Sequence, residues 1–240
     1  VPFRNPALLA KSIVAIDHLS EGRFEPGFGA GWHEPEFRAH GYEFHGVGTR
    51  FDQLTEGLEI ISAMLESPEP TTFSGEHSRV DDVTCVPGPY DRAIPLWTGG
   101  RGSRRTPANA ARFCSGWNVP YVGPDDYRQL NDQLDGACEA IGRDPATLER
   151  SVNLAFHLGA DRVSADAELE RIQRQWGPDM ADRVTAGALT GTPDDAVEQI
   201  AAFRAAGADM VNVALRLPVD TDALAAYLDV VVPAARAELN

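Results

Sequence analysis

A glycine-rich loop followed by basic residues is the segment of this sequence best suited to chemistry. Gly99, Gly100 and Gly102 stand directly before a predicted helix that begins at about Ser103. A loop that enters a helix presents unpaired backbone N–H groups at the positive end of the helix dipole, where anions bind. The formal net charge of the chain is -15, yet three positive charges lie here within five residues: Arg101, Arg104 and Arg105. The loop predicts an anion site for a phosphate group; the alternative is a glycine-rich turn with solvated arginines, which we expect for Arg104 and Arg105 individually.

A second glycine pattern lies in the segment 19–37, which reads LSEGRFEPGFGAGWHEPEF. Gly27, Gly29 and Gly31 recur at every second position, after a strand predicted over Phe24 to Phe28. Residues two apart in a strand share one face, so these glycines would leave that face without side chains. A flat ligand could then lie against bare backbone, or the strand could pack tightly against its neighbours. The glycines alone leave both interpretations open.

Histidines offer one catalytic candidate and no metal site. His157 stands toward the C-terminal end of a predicted strand, where the catalytic residues of α/β barrels gather, although a hydrogen-bonded core histidine is the alternative. The pair His33-Glu34 lacks the second histidine of a zinc-binding helix, and Pro35 would disrupt that helix. No metal is therefore predicted.

Composition excludes several classes of partner. A net charge of -15 and a pI near 4.7 disfavour nucleic acid and anionic membranes, which need clustered positive charge. No apolar run approaches the length of a membrane span. The cysteines at 85, 114 and 138 share no CxxC spacing, so a reducing, cytoplasmic location is expected. No order of serine, histidine and aspartate indicates a hydrolase.

The predicted elements alternate between short apolar strands and amphipathic helices. Strands are predicted near residues 24, 95, 116, 152 and 210, with a surface hairpin over 71–80. Helices are predicted over 6–19, from 49 to before 68, over 103–113, 124–142, 164–176, 192–207 and 221–236, whereas 35–48 looks irregular. Five strands in alternation with helices argue for a parallel sheet, and the count favours part of a barrel within one domain, 1–240. The dinucleotide fingerprint GxGxxG is absent.

Six motifs in order resemble one family. These are NPALLAK (5–11), LSEGRFEPGFGAGW (19–32), RFDQLTEGLEII (50–61), IPLWTGGRG (94–102), SGWN (115–118) and GTPDDAVEQI followed by AAGADMVNV. Each motif is weak alone, but their order and spacing are specific. Together they resemble the bacterial luciferase-like oxidoreductases, closest to the branch of probable F420-dependent enzymes.

The resemblance implies a (β/α)8 barrel of the TIM type with a flavin or deazaflavin at the C-terminal ends of its strands. The five predicted strands would be the fourth to the eighth, with three strand-helix units expected upstream of Val1. The family's loop after the fifth strand holds the cofactor phosphate. The cofactor-binding residues implied are Gly29, Ala30, Gly31, Trp32, Gly99, Gly100, Arg101, Gly102 and Thr106, with Thr106 as a hydroxyl donor. Ala30 replaces an arginine of the luciferases proper, which leaves Arg101 to compensate.

The implied function is hydride transfer between F420, or FMN as the alternative, and a small organic substrate. Trp32 would stack near the ring or wall the substrate pocket, or else be a core residue under its loop; Trp32 and His157 are the weak catalytic candidates. The competing hypothesis is a non-catalytic or incomplete flavin-binding barrel. Unpaired sheet edges would need cover, so a homodimer is expected.

Overall fold

The structure is a computed structural model that describes residues 2–217 and 219–237. The chain divides into two compact units, one formed by Val1–Trp117 with Ala137–Leu148 and the other by Asn118–Gly136 with Glu149–Asn240. Each unit is described by itself below. That residues 1–240 form a single domain remains a prediction.

Helices make up most of the regular structure. Their bounds are α1 Pro6–Leu19, α2 Glu34–Ala39, α3 Val47–Glu66, α4 Arg105–Phe113, α5 Pro124–Glu139, α6 Arg162–Trp176, α7 Pro178–Ala186, α8 Pro193–Ala205, α9 Thr221–Ala226 and α10 Val232–Ala237. A π-helical turn, Tyr227–Val231, joins α9 to α10. The strands are β1 Gly27–Phe28, β2 Thr71–Ser74, β3 Arg79–Val83, β4 Trp97–Gly99, β5 Gly116–Pro120, β6 Glu149–Leu158, β7 Ala188–Gly191 and β8 Met210–Ala214.

The first unit is built on α1, α3 and the strand pair β1–β4. Asn5 caps α1, because its side chain accepts hydrogen bonds from the amides of Ala7 and Leu8. β1 and β4 run parallel, and the start of β5 lies beside them through hydrogen bonds from Ser115 and Gly116 to the carbonyl of Leu96. The core between these elements is apolar and includes Ile13, Val14, Leu54, Leu58, Ile60, Ile61, Met64 and Leu96. The predicted hairpin over 71–80 is confirmed as the antiparallel pair β2–β3.

The second unit centres on the ten-residue strand β6. The amide of Tyr121, at the end of β5, donates to the carbonyl of Asn153, and the amide of Ala155 donates to the carbonyl of Gly187, before β7. Residues 153 and 155 of a strand direct their backbone groups to the same edge. β5 and β7 therefore follow each other along one edge of β6. β8 pairs in parallel with the opposite edge, where the amide of Asp209 donates to the carbonyl of Arg150.

This topology explains a strand that the sequence analysis missed. β7 is a parallel strand that was not predicted, and within the second unit it continues the edge of β6 that β5 begins. Parallel strands alternating with helices confirm the α/β class.

Several local predictions were wrong. The segment 35–48 is not irregular throughout, since it contains most of α2 and the start of α3. β1 is limited to Gly27–Phe28 rather than Phe24 to Phe28, because Pro26 has no N–H group to donate to a neighbouring strand. No element was predicted between 176 and 192, where the structure has α7 and β7, and the closing helix is divided by its π-helical turn.

Candidate functional site

The C-terminal ends of β1 and β4 lie side by side in the first unit. Gly27 pairs with Trp97 and Phe28 with Thr98, in parallel register. The hydroxyl of Thr98 donates to the carbonyl oxygen of Phe28 across 3.1 Å and thereby ties the two strand ends together. The segments 29–32 and 99–106, which were predicted separately, therefore leave the sheet at one edge. The ends of parallel strands are where ligands bind in α/β folds.

Open space lies beside two of the three alternating glycines. A Cβ atom built on Gly27 or on Gly29 would meet no atom within 4 Å. Tight packing therefore does not explain these two positions. Gly31 is different, because its φ of +76° disfavours other residues and an added Cβ would lie 2.6 Å from the ring of Phe37.

Trp32 extends from the turn that follows β1. Its side chain is 82% exposed, so the alternative of a core residue under the loop is wrong. The centroid of its indole lies 5.0 Å from that of His33. Ala30, in contrast, is half-buried and packs against the core of the first unit.

The loop after β4 leads into α4, whose first backbone N–H groups have no capping side chain. Gly100 has a φ of +140°, which residues with a side chain rarely adopt. α4 begins at Arg105, two residues later than predicted, and its N-cap residue Arg104 makes no side-chain cap hydrogen bond. Gly102, Ser103 and Arg104 are exposed. The first N–H groups of α4 thus remain without a capping side chain.

The hydroxyl group of Thr106 is buried beneath this loop. Its side chain is 1% exposed, and Oγ1 has no hydrogen-bond partner within the described part of the chain. A Cβ on Gly102 would lie 2.9 Å from this oxygen, and one on Gly100 would lie 3.5 Å from it. Buried hydroxyls are nearly always hydrogen-bonded, so this one is left with a donor that a ligand oxygen could accept. Glycines, uncapped N–H groups and this hydroxyl fit a phosphate-bearing cofactor.

The three arginines of the loop do not have equal roles. Arg105 is partly exposed but has protein partners: it forms an ion pair with Asp52, donates to the carbonyl of Gly48 across 2.8 Å and lies over the ring of Phe51. The guanidinium group of Arg105 therefore interacts mainly with residues of α3. Arg101 and Arg104 are exposed at the loop.

His157 is held by a carboxylate in the second unit. Its Nδ1 lies 2.8 Å from Oε1 of Glu168, and Arg171 donates to both oxygens of that carboxylate across 2.6 Å. Burial tends to raise the pKa of Glu168, but hydrogen bonds from Arg171 and His157 outweigh it, so this pKa lies below its ordinary value. The imidazole is 16% exposed and oriented through Nδ1. Glu168 was missed from sequence, although its spacing from the buried Ala165 and Ile172 of α6 places it on the inner face of that helix.

A polar face of the second unit was also missed. Asn118 donates through Nδ2 to Oγ of Ser151 across 2.7 Å and to Oδ1 of Asn153 across 3.1 Å. Asn153 is in register with Asn212 of β8. Polar residues at 151, 153 and 157, alternating with apolar ones, were the sequence signal for this face.

The described residues show neither a metal centre nor a membrane-spanning helix. In the ranges 2–217 and 219–237, no three histidine, cysteine, aspartate or glutamate residues converge as they would around a metal ion. The helices described include none with the length and apolar content needed to cross a bilayer.

Comparison with known proteins agrees with this geometry. Residues 1–210 match the model of a family described as luciferase-like monooxygenase. An F420-dependent hydroxymycolic acid dehydrogenase of Mycobacterium tuberculosis is 29% identical over 163 residues, which are 68% of this chain and 44% of that protein. An FMNH2-dependent dimethylsulfone monooxygenase of Pseudomonas fluorescens is 25% identical over 239 residues, covering 86% of this chain and 64% of that protein.

Solved structures share the fold. An F420-dependent secondary alcohol dehydrogenase, in complex with an F420-acetone adduct, superposes with a TM-score of 0.82 at 20% identity, over 97% of this chain and 76% of that one. This likeness confirms the predicted luciferase-like barrel type for the fold. The chain spans about half the length of curated relatives that it matches, 56% for mycobacterial proteins at 35% identity.

Proposed function

Because this chain belongs to the luciferase-like monooxygenase family, we propose that it is an oxidoreductase that uses F420, with FMN as the alternative cofactor. Related proteins depend on one or the other of these two cofactors. The proposed reaction is hydride transfer between the cofactor and a small organic substrate. F420 is the first choice because Ala30 stands where the luciferases proper have an arginine.

The observation that carries this proposal is the unsatisfied hydroxyl of Thr106. Phosphate oxygens accept hydrogen bonds, and a buried donor without a partner is costly unless a ligand satisfies it. The backbone of 99–102 and the exposed Arg101 would surround the phosphate from the solvent side. A charged phosphate at the start of α4 would also be stabilised by the helix dipole.

The ring would be held at the neighbouring strand end. The open side of Gly29 allows a planar ring to approach the backbone, and Ala30 and Gly31 continue this segment. The exposed indole of Trp32 could then cover the ring or form a wall for the substrate. When bound, the cofactor supplies the hydride acceptor or donor, while these residues position it and exclude water.

His157 remains a candidate catalytic residue in this proposal. Glu168 orients the imidazole through Nδ1, so that Nε2 is the nitrogen left to exchange a proton with a substrate. Such an orienting carboxylate is the arrangement seen when histidine acts as an acid or base. We also propose that the protein forms a homodimer and is located in the cytoplasm.

The second candidate function is that of a non-catalytic or incomplete flavin-binding barrel protein. It is favoured by one observation: the described strands fill five positions across the sheet, whereas a complete barrel of this type has eight. Cofactor binding and turnover must therefore be measured separately.

The experiment is a fluorescence titration with F420, FMN and riboflavin. Riboflavin has the ring of FMN without its phosphate, so it isolates the contribution of the loop. We expect saturable binding of F420, and we expect FMN to bind at least about tenfold more tightly than riboflavin, as charge-assisted hydrogen bonds to phosphate require. Binding of a cofactor without any transfer of hydride between it and the small organic substrates tested would favour the second candidate. Absence of binding for all three compounds would refute both.

A further inference from the structure

Three polar contacts join α4 to α3 in the first unit. Each links one residue of α3 to one residue of α4, in the order Asp52 with Arg105, Thr55 with Asn109 and Glu59 with Arg112. Successive contact residues are three or four positions apart on each helix, so the contacts share one face of α3 and one face of α4. The rotation of α4 about its own axis is therefore set relative to α3.

Arg105, the first residue of α4, has further contacts with α3. Its Nη1 donates to the carbonyl oxygen of Gly48 across 2.8 Å, and its Cζ lies 5.5 Å from the centre of the Phe51 ring. Phe51 also lies beside the glycine-rich loop, because a Cβ atom on Gly102 would be 4.0 Å from its ring. The start of α4 is thus anchored to α3 by more than an ion pair, which alone contributes little at a protein surface.

The direction of the Thr106 hydroxyl depends on this anchor. Thr106 follows Arg105 directly, and consecutive residues of a helix point about 100° apart. Arg105 lies against α3 while Thr106 is buried beneath Gly102, so a rotation of α4 would move both side chains together. The N-cap residue Arg104 makes no side-chain cap hydrogen bond, so the contacts with α3 also orient the first N–H groups of α4.

We infer that Asp52 and Arg105 are positioning residues for the cofactor phosphate. They hold the first turn of α4 at one rotation, in which the Thr106 hydroxyl and the N–H groups of this turn point into the phosphate site. The role is indirect, because the guanidinium group of Arg105 contacts α3. The inference rests on the proposed function, since it concerns the phosphate site of the proposed cofactor.

Positioning and simple charge effects predict opposite results for Asp52. A carboxylate near an anion site repels the anion, so charge alone predicts that Asp52→Asn binds a phosphate more tightly. Loss of positioning predicts weaker binding in the same variant. Arg105→Gln does not separate the two effects, because both predict weaker binding. Asp52→Asn is therefore the informative variant.

The test compares each cofactor with its phosphate-free analogue in fluorescence titrations: FMN with riboflavin, and F420 with its phosphate-free deazaflavin core. The affinity of the cofactor divided by that of its analogue is the phosphate ratio. General effects on ring binding or stability cancel in this ratio. For whichever cofactor binds, we expect the phosphate ratio to fall about threefold in Asp52→Asn, as the loss of a well-anchored surface ion pair implies.

The matched control is Glu59→Gln, which removes a carboxylate from the ion pair that Arg112 makes between the same two helices, further from the loop. It should leave the phosphate ratio unchanged. A second measurement needs no cofactor: the amide resonance of Gly102 should shift in Asp52→Asn and stay in place in Glu59→Gln.

The outcomes separate this inference from the proposed function. If the unaltered protein bound neither cofactor, the proposed function would fail and the inference with it. If a cofactor bound, three results would overturn the inference alone: an unchanged or raised phosphate ratio in Asp52→Asn, an equal fall in Glu59→Gln, or a Gly102 resonance that Asp52→Asn does not shift.

Discussion

Gly102 and Thr106 approach each other so closely that a Cβ atom on Gly102 would lie 2.9 Å from Oγ1 of Thr106. The variant Gly102→Ala must therefore push the Thr106 side chain aside by a few tenths of an ångström. We expect cofactor affinity to fall by about tenfold, because the hydroxyl would no longer point at the phosphate.

The control for Gly102→Ala is Gly136→Ala in α5. That glycine is exposed in a helix, and its added methyl group would meet no atom within 4 Å. Its affinity should not change, while the free energy of unfolding should rise by about 0.5 to 1 kcal/mol. Equal affinities for the two variants would show that the loop does not hold the phosphate.

Replacing the hydroxyl of Thr106 should have opposite effects on stability and on binding. In Thr106→Val, a methyl group replaces a buried hydroxyl without a partner, so we expect the unfolding free energy of the cofactor-free protein to rise by about 1 kcal/mol. Cofactor affinity should fall by about tenfold, because one hydrogen bond to a charged group is lost. Chemical denaturation and fluorescence titration measure the two effects.

Thr106→Ser is the matched variant, since it keeps the hydroxyl and removes only the methyl group. It should retain most of the affinity. If Thr106→Val bound the cofactor as tightly as Thr106→Ser, the hydroxyl would have no part in binding.

Arg143 stabilises the end of α4. Its Nη1 donates to the carbonyl oxygens of Ala111 and Cys114, at 2.9 and 2.8 Å. Arg143→Ala leaves these helix-end carbonyls without a donor, and we expect the free energy of unfolding to fall by about 2 kcal/mol. Arg128→Ala breaks an exposed ion pair with Asp125, and it should lower the free energy of unfolding by less than about 0.5 kcal/mol. Similar losses in both variants would contradict this role.

The thiol of Cys114 should make the protein less stable in alkali. Burial raises the pKa of Cys114 to about 12, although the nearby charge of Arg143 acts in the opposite direction. The folded state then keeps a proton that the unfolded chain loses above its ordinary pKa of 9.0. Unfolding free energy should fall as pH rises from that value toward the folded pKa, by at most about 1.4 kcal/mol per pH unit for this thiol.

Chemical denaturation between about pH 8 and pH 10 can measure that slope. Cys114→Ala removes the ionisable group, so its curve should fall less steeply than that of the unaltered protein. Parallel curves would mean that the buried thiol does not contribute. Tyr127, whose pKa is also raised by burial, remains in both proteins and does not affect the difference.

The carboxylate of Glu168 should make the protein less stable as the pH falls in the acid range. Its pKa is lowered despite burial, because Arg171 and His157 donate to it. The stability that it contributes is present above the ordinary carboxyl pKa and is lost as pH falls below that value. Glu168→Gln should reduce this acid sensitivity, and it should shift the NMR resonances of the His157 ring, because Nδ1 contacts Oε1 of Glu168. Glu170→Gln, at an exposed pair on the same helix, should do neither; unchanged His157 resonances in Glu168→Gln would refute the pairing.

The sequence was most informative where structure is set locally. Asn5 and Thr192 each stand directly before a proline at a predicted helix start, and both accept hydrogen bonds from the first turn of their helices. The cap residue, the following proline and the apolar spacing all lie within a few residues, so no distant contact is needed to recognise them.

Contacts between distant residues could not be predicted in the same way. The pairing of Glu168 with His157 and the burial of Thr106 depend on how a helix packs on the strand before it. β7 was missed because four residues carry too little periodicity to distinguish a strand from a loop. The segments 29–32 and 99–106 were nevertheless identified, because glycine spacing is itself a local signal.

The arrangement of β5 and β7 along one edge of β6 has a consequence for changes in length. The segment from α6 through β7 returns to an edge of β6 that β5 already occupies in part, so it adds no new position beside β6. Residues inserted or deleted between α6 and β7 should therefore leave the pairing of β6 with β8 on the opposite edge unchanged.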